Sequence, residues 1–244
     1  MLPVLSLLPL LLLACSLEPE GTGPATDPRL TARPGVPTRA PTLGESPLGL
    51  EIGRDGLLYV PSTYDPAHPA PLLVLLHGAT GSASNWRGVF EVAGARGIVV
   101  LALDSRGATW DRIRGDFGPD YLFMDAALKE VFAQAAIDPS RIALAGFSDG
   151  ATYALSLGVG NGDLFTHLMA FSPGFVSSGE SLVGEPRIFV SHGREDPVLS
   201  VGASRDRIVP ALRNAGYDVT YEEFDGGHAV PQAIFDTAMD WFME

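Results

Sequence analysis

The most chemically suggestive arrangement in the chain is a serine between two glycines, Gly146-Phe147-Ser148-Asp149-Gly150. It follows the apolar run Arg141-Ile142-Ala143-Leu144-Ala145 and precedes the small-residue segment Ala151-Thr152-Tyr153-Ala154-Leu155. A strand that turns sharply into a helix presents its serine hydroxyl at the carboxyl end of a sheet, and the glycines let the two elements approach. The helix amino terminus then favours negative charge developing beside it. A serine hydroxyl is a weak nucleophile at neutral pH and needs a base within hydrogen-bond reach. His228, in Phe224-Asp225-Gly226-Gly227-His228, follows the strand-like VTYEEF and precedes the last amphipathic segment, so it is read as that base. The base needs a carboxylate to fix its tautomer and stabilise the imidazolium. Asp196, in Gly193-Arg194-Glu195-Asp196-Pro197, fills that place, with Glu195 as competitor and read as a solvated loop charge. Acyl transfer to Ser148 followed by hydrolysis is the chemistry such a set performs.

Acyl transfer also needs backbone N–H groups where negative charge develops. Asp149 supplies one by following the nucleophile. The second falls in Leu76-His77-Gly78-Ala79-Thr80-Gly81, where Ala79 is preferred to Thr80 and His77 is read as orienting the loop rather than as a second base. Arg106 and Trp110 lie in the segment after Ile98–Leu103 and are candidate substrate contacts, since ligands bind at the carboxyl ends of strands in open α/β sheets. For Arg106 an internal ion pair with Asp104 or Asp111 is the competing reading. Asp120 and Asp125 read as helix amino-terminal residues and His192 as a brace for the acid loop, while His68 and His167 receive no role. No H-x-x-x-H spacing suggests a metal, and no G-x-G-x-x-G follows a strand, so neither metal nor cofactor is expected.

The elements that must position these residues follow from alternating short apolar runs and longer amphipathic ones, the pattern of a mainly parallel sheet flanked by helices. Strands are expected at 49–52 and 57–60, as an antiparallel edge hairpin, and at 71–76, 98–103, 141–145, 167–171, 187–191 and 218–224. Helices are expected at 84–95, 120–135, 151–157, 203–215 and 231–242. Only fifteen residues, SPGFVSSGESLVGEP, separate the strand ending at Phe171 from the one beginning at Arg187, too few for a helical cap. An open, shallow site suited to small acyl esters or exposed ester chains is expected.

At 244 residues, 46% of them hydrophobic, the chain is long enough for one large α/β domain. A formal net charge of −13 argues against nucleic acid as a partner, because that affinity comes mostly from Lys and Arg on phosphates. It also disfavours electrostatic attachment to anionic lipid and is read as an acidic, soluble surface. The apolar run MLPVLSLLPLLLLA (1–14) is too short to span a bilayer and reads as an export signal, although no Lys or Arg precedes it and Pro3 and Pro9 interrupt it. Leu12-Leu13-Ala14-Cys15 is similar to a bacterial lipobox, and its cysteine, the only one in the chain, is the expected lipidation site and membrane anchor. Residues 15–47, rich in Pro, Gly and Thr without apolar periodicity, read as a tether, and 48–244 as the catalytic domain.

Taken together, LLHGATG, Asp104–Asp111, IDPSRIALAGFSDGA, HGREDPV and GGHAVP resemble the small esterases of the α/β-hydrolase fold, among them phospholipase/carboxylesterase and polyhydroxyalkanoate-depolymerase-like lipoprotein esterases. The resemblance runs from about Leu48 to the end, and the order Ser148, Asp196, His228 is the order of that fold. It implies a serine esterase without cofactor, acting on a small-molecule ester at the cell envelope. A thioesterase, a serine peptidase or a non-catalytic surface binding protein are the alternatives.

Overall fold

The computed structural model describes residues 28–177 and 181–244. The expected signal segment and Cys15 lie outside the described residues. Eight strands form one sheet: β1 (Gly44–Pro47), β2 (Gly56–Val60), β3 (Ala70–Leu76), β4 (Val99–Leu103), β5 (Ile137–Phe147), β6 (His167–Phe171), β7 (Arg187–Gly193) and β8 (Val219–Phe224). Their order is β1-β2-β4-β3-β5-β6-β7-β8; β1 pairs antiparallel with β2 and β2 antiparallel with β4, and every other pairing is parallel. The α/β-hydrolase fold read from the sequence is therefore the fold of the chain.

The continuous apolar runs are explained by burial on both faces of the sheet. Side chains alternate across a strand. Leu72, Val74 and Leu76 thus join a core under α3 (Pro119–Gln134), α4 (Asp149–Gly158) and α5 (Val209–Asn214). Leu73 and Leu75 join the opposite core under α1 (Arg87–Gly94) and α6 (Gln232–Met243). A short helix, α2 (Asp111–Arg114), lies in the segment after β4 and was not expected. Between β6 and β7 the described residues contain no helix.

Two boundaries need correction. The edge hairpin exists, but its first strand is Gly44–Pro47 rather than 49–52, paired so that Gly44 lies opposite Val60. The stretch 49–52 is instead a tight loop, because the Asp55 carboxylate gathers the Gly49, Leu50 and Glu51 amides. The tether, expected to run to residue 47, is packed onto the domain from Pro28 onward. Leu30 and Ala32 are buried, the Asn161 side chain accepts from Leu30 N–H and donates to the Pro28 carbonyl, and Arg29 and Arg33 both reach Asp163. Asp125, seven residues into α3 rather than at its start, accepts from Thr31 N–H at 2.6 Å, Thr31 Oγ1 at 2.7 Å and Ala32 N–H at 2.7 Å, beside Lys129 at 2.7 Å. Polar anchors, not apolar periodicity, order this strap.

Burial alone would raise the Asp125 pKa, but Lys129 and the Ala32 and Thr31 donors outweigh it and hold the carboxyl below its ordinary range. A group whose pKa is depressed on folding contributes stability that is complete above its unfolded pKa and lost as pH falls through the folded value. Asp125→Ala should therefore lower the unfolding free energy by roughly 1–3 kcal/mol at neutral pH, since it strands two backbone donors. Urea unfolding of the two proteins should give curves that converge in acid; a gap that stays constant down to strongly acid pH would contradict this account.

Candidate active site

Ser148 joins β5 to α4 with φ 57° and ψ −118°. A non-glycine residue held there stores roughly 1–3 kcal/mol of strain, tolerated only where the surroundings determine it. They do so here: Ser148 N–H donates to the Phe171 carbonyl at 2.9 Å, and the Ser148 carbonyl accepts from Thr152 N–H at 3.0 Å. The flanking glycines are steric requirements. A Cβ on Gly146 would stand 2.3 Å from the Gly150 backbone, and one on Gly150 would stand 2.4 Å from the Leu76 carbonyl oxygen.

Three residues far apart in sequence meet at this turn. Ser148 Oγ lies 2.9 Å from His228 Nε2, and His228 Nδ1 lies 2.6 Å from Asp196 Oδ2. Each comes from a loop at the carboxyl end of a strand: Ser148 after β5, Asp196 after β7, His228 after β8. Because a carboxylate only accepts, Nδ1 carries the imidazole proton and Nε2 is free to accept the serine hydrogen. The Asp196 side chain is fully buried, yet its other oxygen accepts from Val198 N–H at 2.8 Å and Leu199 N–H at 2.9 Å. Burial pushes its pKa up, but the bonds to His228, Leu199 and Val198 outweigh that and hold it below the ordinary value, so the carboxyl stays ionised. Glu195 beside it is exposed. His192 braces the loop as expected: Nε2 donates to the Leu199 carbonyl at 2.8 Å and Nδ1 accepts from Ser204 Oγ at 2.8 Å. The Phe147 ring lies against the His228 imidazole, with centroids 4.6 Å apart.

Of the two expected oxyanion donors, Asp149 directly follows the serine and Ala79 lies in the loop after β3. As the first residue of α4, Asp149 has an N–H without an intrahelical acceptor. Ala79 belongs to a turn closed by Gly81 N–H on the Gly78 carbonyl at 3.1 Å, with Thr80 at φ 59° and its N–H donating to Ala108 at 2.6 Å. Beside this turn opens a pocket of about 360 Å³, walled by His77, Gly78 and Ala79 and by Trp86, Phe147 and Phe235, with Asn85 and Gln232 as polar points. Trp86, Asn85 and Phe235 were not picked out from the sequence. They lie on helices whose apolar residues also build the core, and nothing in their spacing marks the pocket.

The two candidate substrate contacts are not brought to this pocket. Trp110 is 1% exposed, its indole N–H donates to the His77 carbonyl at 2.8 Å, and its ring packs on His77 and Tyr153. The Arg106 guanidinium lies 3.5 Å over the Phe123 ring, donates to the Arg54 and Asp104 carbonyls at 2.8 and 2.9 Å, and faces Glu51 at 3.4 Å. Both side chains hold loops together. Asp120 stays in the first turn of α3 but turns inward, accepting from the Arg106 and Asp111 amides. Of the remaining histidines, His68 pairs with Asp65 at the surface, and His167 is packed against Trp241 and Phe242, where burial pushes its pKa down to about 4. Among the described residues no cluster of His, Cys, Asp or Glu could hold a metal ion.

Residues 73–197 match the family model described as the alpha/beta hydrolase family, and the chain belongs to that family. It is 24% identical over 210 residues to a probable feruloyl esterase C of Aspergillus clavatus, covering 72% of this chain and 76% of the relative. It is 28% identical over 201 residues to the esterase YpfH of Escherichia coli, covering 81% of this chain and 77% of that one. Two other fungal feruloyl esterases C are matched over only 56% of their length. Among solved structures it is similar to the Bacillus cereus carboxylesterase, with a TM-score of 0.61 and 21% identity, covering 79% of this chain and 95% of that one. At that identity the last likeness speaks for the fold.

Asp196→Asn tests the geometry, because an amide facing Nδ1 favours the wrong imidazole tautomer. In a serine triad this costs kcat on the order of 10⁴-fold with the geometry intact. A loss of that size with an undisturbed melting temperature is expected for turnover of a p-nitrophenyl ester, and a variant within about tenfold of wild type would deny Asp196 the role.

Proposed function

We propose that this α/β hydrolase is a serine carboxylesterase that works through an acyl-enzyme on Ser148. The observation that carries the reading is the unbroken line of hydrogen bonds from Ser148 Oγ to His228 and on to the buried Asp196. As the Ser148 oxygen attacks the ester carbonyl, its proton passes to His228 Nε2, and the imidazolium is stabilised by Asp196. The oxyanion is held by the Ala79 and Asp149 amides. His228 returns the proton to the leaving alcohol, then activates water to release the acid and regenerate the serine. The chain hydrolyses carboxylic esters, the activity carried in the names of its feruloyl esterase and esterase relatives. The apolar, aromatic-walled pocket beside the serine suits a small acyl or aryl group, and the absence of a helix among the described residues between β6 and β7 suits an accessible ester.

We also infer that the protein is exported and held at the bacterial envelope by lipid on Cys15. The support is the apolar run ending in Leu12-Leu13-Ala14-Cys15. No described helix is long and apolar enough to cross a membrane.

Ser148→Ala should abolish hydrolysis of a short-chain p-nitrophenyl ester and labelling by a fluorophosphonate while the fold is retained. Undiminished turnover would remove the reading, and a panel of thioester and peptide substrates would show whether esters are preferred. Cys15→Ser should move the protein from the detergent phase to the aqueous phase on Triton X-114 partitioning of cells; equal partitioning would dismiss the anchor.

A further inference from the structure

The direction of the Ala79 amide is set by the peptide plane it shares with the Gly78 carbonyl. That peptide is trans, so its C=O and N–H point in opposite directions. Whatever holds the carbonyl therefore aims the amide. The Gly78 carbonyl is held by His77 Nδ1 at 2.6 Å as well as by Gly81 N–H. The tautomer of His77 is dictated by its neighbours. Nε2 faces Ser105 N–H at 3.0 Å and Arg54 Nη2 at 3.1 Å, two groups that only donate. Nε2 is therefore the bare acceptor, and the hydrogen sits on Nδ1, where it reaches Gly78. A Cβ on Gly78 would lie 3.3 Å from Ser148 Cβ, which places this plane against the nucleophile. The Ala79 amide makes no hydrogen bond among the described residues.

We propose that His77 is a positioning residue whose Nδ1–H locks the Gly78–Ala79 peptide so that the Ala79 amide faces the oxyanion. The proposal rests on the acyl-transfer reading of Ser148. Arg54 is placed to act on the whole loop cluster. Its Nη2 also donates to the Gly81 carbonyl at 3.0 Å and to Ser105 Oγ at 3.2 Å, and its Nε donates to the Ser105 carbonyl. A second proton on His77 would set an N–H against two donors, one of them cationic. Burial, first, and the Arg54 charge both disfavour that proton, whereas the bond to Gly78 and the charges of Asp104 and Asp149 favour it. The balance holds the imidazole pKa below its ordinary value. Without Arg54 the restraint loses its cationic part.

Two substitutions separate the two ring nitrogens. Asn places its side-chain amide near the position of Nδ1, and Gln places it near that of Nε2. In the full-length protein with p-nitrophenyl acetate, His77→Gln should lower kcat on the order of 10²-fold, the size of a lost oxyanion donor, with KM within about threefold. His77→Asn should recover about tenfold or more of that loss, since it keeps a donor for Gly78. Equal losses, or a more active Gln variant, would overturn the role of Nδ1, because simple packing or the bond to Ser105 predicts that outcome. Should His77→Gln fail to fold, His77→Asn decides the matter alone: kcat within about tenfold of wild type is expected, and a loss on the order of 10²-fold or more would overturn the role of Nδ1. Ser148→Ala is run beside them: full activity there would overturn acyl transfer itself, whereas its loss with unaffected His77 variants would overturn only the positioning role.

Discussion

Nearly every feature of the site depends on how closely α4 comes to β3. Gly150 presses against the Leu76 and His77 carbonyls at a distance that leaves no room for a Cβ, and Gly146 presses in turn against Gly150. That contact bends the chain sharply enough to put Ser148 at positive φ, and it sets the first amide of α4 beside the serine. The residue whose carbonyl meets Gly150, His77, is also the residue from which the loop to Ala79 departs. Nucleophile and both proposed oxyanion donors are thus fixed by one backbone contact, so a shift of the helix would misplace all three together. The segment after β4 reinforces the arrangement from the side: Trp110 donates to the His77 carbonyl, and Thr109 Oγ1 donates to the Asp149 carboxylate at 2.5 Å.

Two histidines flank the serine with opposite demands on the same ring, and the difference lies in their partners. His228 has a carboxylate at Nδ1 and a hydroxyl at Nε2, so Nδ1 is the donor and Nε2 the acceptor of the serine hydrogen. His77 has a carbonyl at Nδ1 and two donors at Nε2, so a second proton meets an amide and a guanidinium. The first ring sits between a hydroxyl and a carboxylate and can pass a proton; the second presents a fixed Nδ1–H to a peptide carbonyl. Burial divides the two roles as well, since His77 is buried and His228 only half-buried, although both rings lie against aromatic neighbours, Trp110 for His77 and Phe147 for His228.

Features with a local signature were legible in the sequence. The strands buried on both faces read as unbroken apolar runs, and the Gly-x-Ser-x-Gly turn announced its own steric demand. The structure brings Ser148, Asp196 and His228 together because each follows a strand whose end the sequence already located. Orientation was not legible. Arg106 and Trp110 lie at the carboxyl end of the sheet, as that reasoning placed them, but which way a loop side chain turns depends on partners distant in sequence. Phe123 and the Arg54 carbonyl claim the first, and the His77 carbonyl claims the second. Arg54 carries no local signature, since its importance comes from what lies around it in space.

The strap shows the same limit from the other side. Its Pro-rich composition lacks the apolar content to fold alone, yet Asp125 and Asn161 supply fixed acceptors for a chain that brings few apolar groups of its own. Those anchors also fix where the chain enters the domain. Pro28 to Arg33 dock on Gly160, Asn161 and Asp163, just past the end of α4, whose other end carries Ser148. Ten helical residues span about 15 Å, so the entry point lies toward the amino edge of the parallel strands while the pocket opens at their carboxyl edge. If Cys15 carries the proposed lipid, the chain from it still enters the domain at the edge away from the serine.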